Sequence, residues 1–358
     1  MTYESFHHTT IADLIHIQAQ QHADRIFIRL NDQTWTYAET DRLAAALAAG
    51  LIDLGLRSGD RLAIILPNVP AYVITIFAAA KANLILVPIN IRRNKAEVQT
   101  RLIRTGAVAL ITDRSAVGPG NIDHLTLAHE LQINLPDLKH IIATNGDTGN
   151  AISWQKLLSS SGTLPSATKP DDPAAIVHTL GNTGEPRGAV LTHGGLMHNA
   201  ATIAANLACT PADIFLGTVP FSTSFGLAPT ILACAIAGAQ LVPLPVYHPA
   251  EALKLIEQNK ITVHHGVPTM FSLELNHPDF RSDACASLRT GVISGAHCPP
   301  DLAARVRDQM HCNISLAYGL TEASPAVTMT HLDDGPITAT QTVGRLLAGV
   351  DWKVIAPD

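Results

Sequence analysis

Two segments of the chain share one pattern of apolar residues, and each predicts a helix, a turn and a short strand. The segment from Ala80 to Pro88 (AKANLILVP) aligns with the segment from Ala235 to Pro243 (AIAGAQLVP). An apolar strand fed by a packed helix is the unit of a sheet that is covered on both faces. The pattern therefore favours an α/β fold with two packed lobes, with chance similarity of Ala-, Leu- and Val-rich segments as the alternative.

A capped helix is predicted near the start of the first lobe. Thr36 and Glu39 are spaced as in a capping box, in which the hydroxyl and the carboxylate each accept a hydrogen bond from a backbone N–H at the helix start. Apolar residues then recur at helical spacing until Gly55, which ends the helix. Apolar runs at residues 60–66 and 107–112 predict buried strands.

The best boundary between the lobes is the segment from Ser159 to Pro173, which is rich in serine, proline and other turn-forming residues. The first lobe is accordingly predicted at residues 1–170 and the second at residues 171–335.

The composition is that of a well-packed globular protein. Of the 358 residues, 47% are hydrophobic and 15% are charged. The net charge is −6 and no long run of lysine and arginine is present, so nucleic acid is not expected as the main partner. Five cysteines without a Cys-x-x-Cys pair speak against a disulfide framework or a zinc site. The histidine pairs His7–His8 and His264–His265 are adjacent in sequence, and adjacent side chains do not share a face for a metal.

No stretch of the sequence has the pattern of a membrane span. The first ten residues are polar and do not resemble a signal peptide. Residues 71–89 and 226–246 approach the length of a spanning helix, but each contains proline and polar residues. The sequence thus predicts a cytoplasmic protein with no transmembrane segment, and it leaves peripheral contact with a membrane open.

The first candidate for a chemical function is a glycine-rich loop between two predicted strands, residues 174–179 and 189–191. From Thr179 to Gly188 the sequence reads TLGNTGEPRG. Glycines let backbone N–H groups turn towards an anion, hydroxyls add donors, and the guanidinium of Arg187 can hold phosphate oxygens with two bonds. The loop matches neither the Walker A motif nor the dinucleotide pattern GxGxxG. A hairpin turn without a ligand is the alternative.

This loop resembles the phosphate-binding signature of the adenylate-forming superfamily, which includes acyl-CoA synthetases, luciferases and the adenylation domains of peptide synthetases. That signature reads Thr-Ser-Gly-Thr-Thr-Gly-x-Pro-Lys-Gly. Arg187 stands in the place of the lysine, and Leu180 replaces a serine and so removes a hydroxyl donor. The resemblance implies that the loop binds the phosphates of ATP through Thr179, Gly181, Asn182, Thr183, Gly184, Arg187 and Gly188.

Residues 317–322 (AYGLTE) resemble a second motif of the superfamily, Tyr-Gly-x-Thr-Glu. The resemblance implies that Tyr318 and Gly319 border the adenine ring, that Thr321 reaches the α-phosphate and that Glu322 holds Mg²⁺. The turn of the superfamily that borders adenine corresponds to Ser294, Gly295 and Ala296. Because one nucleotide must touch all three segments, they are expected to face one cleft, with Arg187, Thr321 and Glu322 as the catalytic residues.

The acid-binding pocket is also implied by resemblance. Residues 220–226 (PFSTSFG) resemble the family motif Pro-Leu-Phe-His-x-x-Gly, with threonine in the place of the histidine, and residues 266–271 (GVPTMF) resemble the start of a pocket-lining helix. The implied pocket residues are Thr223, Phe225, Gly226, Val267 and Met270. An apolar lining favours a fatty or aryl acid, and the absence of aspartate between Phe215 and Leu227 makes an amino acid unexpected. Plain core packing is the alternative for each apolar residue.

The resemblance implies an acid–thiol ligase of the acyl-CoA synthetase kind. Such an enzyme uses ATP and Mg²⁺ to convert a carboxylic acid to an acyl-adenylate with release of pyrophosphate, and then forms a thioester with CoA. A ligase that loads the pantetheine of a carrier protein is one alternative, and a catalytically impaired nucleotide-binding relative is another.

Residues 336–358 resemble the start of a distorted β-barrel in the same superfamily. The ribose-binding aspartate, the hinge and the small C-terminal domain with its lysine would lie beyond Asp358. The resemblance therefore implies an incomplete large domain, and this chain alone is expected to have little activity.

Overall fold

Helices and strands alternate along most of the chain, as the apolar pattern predicts. The computed structural model describes residues 3–6, 8–114, 122–146, 148–164, 168–179, 187–353 and 355. The strands within these residues are β1 Ile26–Leu30, β2 Gln33–Thr36, β3 Arg61–Ile65, β4 Ile85–Pro88, β5 Ala107–Thr112, β6 His140–Ala143, β7 Ile152–Ser153, β8 Pro173–Thr179, β9 Arg187–Thr192, β10 Ile214–Gly217, β11 Gln240–Pro243, β12 Val263–His264, β13 Thr290–Ile293, β14 Asn313–Gly319, β15 Ala326–Met329 and β16 Arg345–Leu346. The helices are α1 Ile11–Gln21, α2 Tyr37–Asp53, α3 Pro70–Lys81, α4 Lys95–Thr105, α5 His124–Gln132, α6 Trp154–Leu157, α7 His193–Asn206, α8 Ala233–Ile236, α9 Pro249–Asn259, α10 Pro268–Leu275, α11 Pro300–Gln309 and α12 Pro336–Gln341, with a π-helix at Gly226–Leu232 and short 3₁₀ turns at Tyr3–Phe6, Asp283–Cys285 and Thr321–Ala323.

The strands form two sheets. One has seven strands in the order β7-β6-β5-β3-β4-β8-β9, and the other has nine in the order β16-β15-β14-β13-β12-β10-β11-β1-β2. The central pairs are parallel, whereas the β8–β9 hairpin, the β1–β2 hairpin and the strands β14 to β16 pair in an antiparallel way. The mixed α/β fold expected from the sequence is confirmed.

The helices and sheets pack in five layers around three apolar cores. The largest core lies between the sheets and includes α1, α2, α3, α7 and the π-helix. A second packs α9, α10 and α11 on the outer face of the nine-stranded sheet, and a third packs α4 and α5 on the outer face of the other sheet. Successive strand residues point to opposite faces, so Leu62 and Ile64 of β3 join the central core and Ala63 and Ile65 join an outer one.

The predicted local elements are present in the structure. The Thr36 hydroxyl accepts from the Glu39 N–H at 3.1 Å, and the Glu39 carboxylate accepts from the Thr36 N–H at 2.8 Å, which is the capping box at the start of α2. The two aligned segments each contain a helix, a turn and a strand. Equivalent turn positions, Asn83 with φ of 50° and Gly238 with φ of 66°, adopt the left-handed conformation that reverses the chain.

Each of the two sheets contains strands from both sides of the predicted boundary near residue 170. Strands β1 and β2 belong to the nine-stranded sheet, where Ile28 pairs with Leu241, and strands β8 and β9 complete the other sheet. Each sheet therefore draws strands from both sequence ranges, and the lobes at 1–170 and 171–335 stay a prediction about domains. The predicted start of a barrel after residue 336 provides β16, which extends the large sheet. The described strands form no closed barrel.

Within the part of the chain that the structure describes, the helices are too short or too polar to cross a membrane.

Candidate active site

The carboxyl ends of four neighbouring strands of the large sheet converge on one cavity of about 290 Å³. The strands are β10, β12, β13 and β14, and they are parallel. Ligands of open α/β sheets bind at this edge, because the loops that leave the strands there point away from the packed core. The cavity wall includes Pro220, Thr223, Ser224, Phe225, Val267, Val292, Ser294, Gly295, Gly319, Thr321 and Met329.

The loop after β14 places a hydroxyl and a carboxylate at this edge. Thr321 lines the cavity, and its hydroxyl lies 3.2 Å from the hydroxyl of Ser224. Glu322 is exposed. Gly319 is required by the tight turn, since a Cβ there would lie 1.9 Å from the Pro325 carbonyl oxygen. Tyr318 is 55% exposed and does not line the cavity, so its aromatic face is open on the surface beside it.

The segment after β10 forms the second wall. The Thr223 hydroxyl donates to the Pro220 carbonyl at 2.8 Å and accepts from the Gly226 N–H at 3.0 Å, so it caps the helical segment that follows. That segment is a π-helix containing Pro229, which lacks an N–H. The Thr230 hydroxyl donates to the Phe225 carbonyl at 3.3 Å and so satisfies a carbonyl in this irregular turn. Thr223, one of the predicted pocket residues, thus has a structural role.

A buried histidine joins the π-helix to the neighbouring strand. His265 donates through Nε2–H to the Pro229 carbonyl at 3.1 Å, and its Nδ1 accepts from the Val292 N–H at 3.0 Å. Both nitrogens are satisfied only in the neutral ring. Burial, together with the neighbouring His264, lowers the pKa of His265 to about 3, although the hydrogen bond to the Pro229 carbonyl acts in the opposite direction. The two walls of the cavity, Phe225 to Pro229 and Val292, are therefore held by one neutral imidazole.

The turn after β13 contributes to two cavities. Ser294 and Gly295 line the main cavity, and Gly295 has φ of +88°, which a residue with a side chain rarely adopts. Ala296 instead lines a separate cavity of about 370 Å³ together with His297, Cys298 and residues 340–343. The predicted adenine-bordering turn is therefore divided between adjacent cavities.

The phosphate-loop prediction falls largely outside the described residues. Leu180 and the predicted ligands Gly181, Asn182, Thr183 and Gly184 are among those that the structure does not describe. Thr179 ends β8 and pairs with Arg187, which begins β9 and is exposed. A Cβ on Gly188 would lie 2.7 Å from the Ile176 side chain, so glycine is required there for close packing of the hairpin.

The hairpin lies beside the second motif. Cα atoms of β9 lie within 8 Å of Cα atoms of the turn Thr321–Ala323. A Cβ on Gly195, at the start of α7, would lie 3.1 Å from the Ser324 hydroxyl. Strand β9, which follows the predicted phosphate loop, thus lies beside the turn that carries the Thr-Glu motif.

The predicted acid-pocket residues divide between the main cavity and a second one of about 360 Å³. Thr223 and Phe225 line the main cavity, Met270 lines the second, and Val267 lines both. Gly226 lines neither, because it is buried where a Cβ would lie 2.2 Å from the Pro220 carbonyl oxygen. Gly226 therefore serves the backbone turn.

The donor set fits a magnesium nucleotide. Mg²⁺ in nucleotide sites is held by one or two carboxylates together with phosphate oxygens, and Glu322 supplies an exposed carboxylate. Among the described residues there is no group of three or more His, Cys, Asp and Glu side chains that could hold a metal by itself. Hydroxyls of Thr321, Ser224 and Ser294 are available to phosphate oxygens at the cavity.

Three functional positions received no role from the sequence: Ser224, Asn199 and His265. Asn199 donates to the Ala326 carbonyl at 2.7 Å and accepts from its N–H at 3.3 Å, which fixes α7 against β15 beside the site. Ser224 stands inside the motif at residues 220–226, but its contact with Thr321 depends on a fold of the chain across 97 residues. The adjacent histidines were considered only as metal ligands.

Comparison with known proteins identifies the family of the chain. The profile of the family described as AMP-binding enzyme matches residues 15–358. The protein YngI of Bacillus subtilis, named as an acyl-CoA synthetase, is 34% identical over 98% of this chain and 68% of its own length. The acyl-CoA ligase SID4 of Ajellomyces capsulatus is 31% identical over 98% of this chain and 62% of its own length.

A solved structure from Rhodopseudomonas palustris, named as a long-chain-fatty-acid CoA ligase, superimposes with a TM-score of 0.84 at 26% identity and covers 96% of this chain and 82% of that one. The chain thus spans about two thirds of the length of the two curated relatives, 68% and 62%. Because the family profile covers nearly the whole chain, the protein belongs to the AMP-binding enzyme family, with acyl-CoA synthetases and ligases among its relatives.

Proposed function

We propose that the protein activates a carboxylic acid with ATP. The carboxylate oxygen attacks the α-phosphorus, the new bond is an acyl–O–P bond, and the bond to the β-phosphate oxygen breaks so that pyrophosphate leaves with the electron pair. The observation that supports this proposal is the main cavity. Thr321 and Ser224, whose hydroxyls lie 3.2 Å apart, line it together with the apolar residues Phe225 and Val267. Such a cavity suits a molecule with a phosphate at one end and an acyl group at the other.

Positioned donors carry the chemistry of this displacement. Charge builds on the α-phosphate oxygens in the transition state, and a hydroxyl held in advance costs no reorganisation at that moment. Thr321 is assigned that role, since its hydroxyl lies in the cavity and is oriented by Ser224 at 3.2 Å. Arg187, at the start of β9, is assigned to the β- and γ-phosphates of the leaving group.

Glu322 is the proposed ligand of Mg²⁺. When bound, the metal neutralises charge on the phosphates. The carboxylate is exposed on the turn Thr321–Ala323, so it is accessible to a metal held by the nucleotide.

The lining of the main cavity favours an acid with an apolar tail. None of the residues that form its described wall is charged. The α-ammonium group of an amino acid would lose its hydration in this cavity without gaining a carboxylate partner, and this loss costs binding free energy. A fatty or aryl acid is therefore the proposed substrate class, and Phe225, Val267 and Val292 are its proposed contacts.

The proposed second step transfers the acyl group to CoA. The thiolate attacks the acyl carbonyl, the thioester bond forms, and AMP leaves with the electron pair of the broken acyl–O bond. The names of the relatives as acyl-CoA synthetase and acyl-CoA ligase support CoA as acceptor. A carrier-protein pantetheine presents the same thiol and is the second candidate.

The test is the release of pyrophosphate from ATP by the full product of the gene, with a panel of fatty and aryl acids and a reaction without acid as control. Release that depends on the acid, and thioester formation that depends on CoA, are expected. Hydrolysis of ATP that is indifferent to every acid would contradict the proposal. Thioester formation only with a carrier protein would move the acceptor assignment to that class.

A further inference from the structure

A polar cluster of two fully buried side chains and one half-buried side chain lies at the edge of the second cavity. It consists of His264, Glu274 and Tyr247. The Nε2–H of His264 donates to the Glu274 carboxylate, with distances of 2.9 Å and 3.2 Å to its two oxygens, and both side chains are fully buried. The Tyr247 hydroxyl lies 3.2 Å from a Glu274 oxygen and 3.0 Å from the Met270 carbonyl oxygen.

The cluster connects three separate parts of the chain to one short helix. His264 is on β12, Tyr247 follows β11, and Glu274 is near the end of α10. Tyr247 therefore holds α10 at two points, the Met270 carbonyl near its start and the Glu274 carboxylate near its end. An eight-residue helix has little stability of its own, so these contacts determine where it lies.

The helix held by the cluster lines the second cavity, and the residue that precedes the helix lines both cavities. Val267, the residue before α10, lines the main cavity and the second one. Thr269, Met270 and Leu273 of α10 line the second cavity, and Tyr247 lines it as well. A shift of α10 by a fraction of an ångström would therefore change the shape of both spaces at once.

The stability of the fold does not account for this cluster. Replacing a buried ionisable pair by apolar side chains of similar volume is often neutral or stabilising, because charged groups lose their hydration on burial. The Nδ1 atom of His264 is buried and has no hydrogen-bond partner among the described residues, which adds to that cost. A hydrogen-bonded cluster fixes a single geometry of its side chains, which an apolar cluster does not.

We propose that His264, Glu274 and Tyr247 are positioning residues that fix α10 and thereby determine which acids the cavity accepts. The acid selectivity rests on the proposed function, whereas the positioning of α10 does not. None of the three side chains touches the reacting atoms. Their effect is on the distance between Val267 and the opposite wall of the cavity.

The test compares Tyr247→Phe with Tyr37→Phe in the full product of the gene. Tyr37 is a matched control, because its buried hydroxyl also donates to a backbone carbonyl, that of Ala239 at 2.7 Å, and lines neither cavity. Glu274→Gln is a second variant that keeps the shape of the side chain. Hydrogen exchange of the α10 amides is measured together with the ratio of kcat/KM for a straight-chain acid to that for an aryl acid.

Faster exchange confined to α10 and a change of about fivefold in the acid ratio, the size of one net hydrogen bond, are expected for Tyr247→Phe and Glu274→Gln but not for Tyr37→Phe. Unchanged α10 exchange in both cluster variants would overturn the positioning role. Changed exchange with an unchanged acid ratio would overturn the selectivity role. Wild-type protein that turns over no acid would overturn the proposed function and the selectivity role, while the exchange measurement would still decide the positioning role.

Discussion

At the scale of single residues, the contact between Thr321 and Ser224 links two walls of the cavity that are far apart in sequence. Replacing Thr321 by valine keeps the shape and removes the hydroxyl. The acid-dependent release of pyrophosphate is expected to fall by about 10²-fold, as for the loss of one preorganised donor to developing charge. Initial rates at saturating ATP measure this change.

The matched control is Thr328→Val. Thr328 is on β15 near the same site, and its buried hydroxyl has no hydrogen-bond partner among the described residues. Removing that hydroxyl is expected to leave turnover unchanged. Equal losses in the two variants would show that general packing, and not the Thr321 hydroxyl, controls the rate.

Arg187 provides a prediction about the phosphates. Arg187→Ala is expected to weaken the binding of ATP by about 1.5–3 kcal/mol, which is the contribution of a hydrogen bond to a charged group. The binding of AMP should be nearly unaffected, because AMP lacks the β- and γ-phosphates. Calorimetric titration with both nucleotides measures the difference. Arg281→Ala, a change of a surface arginine paired with Glu257, is the control. Equal weakening of ATP and AMP would place Arg187 elsewhere in the site.

The resemblance named some of the residues that line the main cavity, but it did not predict how the residues are grouped. Thr321, Ser294 and Val267 line one cavity, whereas Met270 and Ala296 line neighbouring ones. A motif specifies which residues occur together in a family. The division into cavities depends on side-chain packing between strands that are far apart in sequence.

At the scale of elements, the π-helix and β13 are held together by His265, and this contact is sensitive to pH. The unfolded histidine has a pKa of about 6.5, and burial lowers the pKa in the folded protein to about 3. Between these two pKa values the unfolded state binds more protons than the folded state. The contribution of His265 to stability is therefore fully present above pH 6.5 and is lost as the pH falls. His178 and His193, with pKa values lowered to about 4 mainly by burial, act in the same direction.

The free energy of unfolding is therefore expected to decrease by up to about 1.4 kcal/mol per pH unit for each such histidine below pH 6. In His265→Gln the amide can still donate and accept, but it does not titrate. This variant is expected to be less stable at pH 7.5 and to have a shallower loss of stability between pH 6 and 5. Urea unfolding of the wild type and the variant across this range measures both slopes. Parallel curves for the two proteins would show that the pKa of His265 is the same in the folded and unfolded states.

The elements themselves were predictable where local rules determine them. The Thr36 capping box, the strand at 107–112 and the two helix–turn–strand units follow from the spacing of their side chains. The π-helix was not predicted, because its irregular turn is stabilised by contacts of Thr230 and His265 that apolar periodicity does not report.

At the scale of the whole molecule, the two sheets exchange strands across the turn-rich segment near residue 170. Strand β1 pairs with β11, and β8 pairs with β4. Cutting the chain there would separate each sheet from its last two strands and would expose β11 and β4 as unpaired edges. The pairing partner of an apolar strand is not readable from its own pattern, which is why the sequence placed each lobe on one side of that segment.

Residues 1–170 and 171–358, expressed separately, are accordingly expected to lack a cooperative thermal transition. Their co-expression is expected to restore one, since the exchanged strands then find their partners. Calorimetry of the two fragments, the mixture and the intact chain gives the comparison. A sharp transition of the first fragment alone would show that it is an independent domain.

We propose that one cavity at the carboxyl ends of β10, β12, β13 and β14 holds both the acyl group and the α-phosphate. The decisive experiment is a crystal structure with a hydrolysis-resistant acyl-adenylate analogue, in which a sulfamate replaces the phosphate. We expect the sulfamate within hydrogen-bond distance of the Thr321 hydroxyl and the acyl chain against Phe225 and Val267. An analogue bound with its acyl group in the cavity beside Cys298, or bound without contact to Thr321, would contradict it.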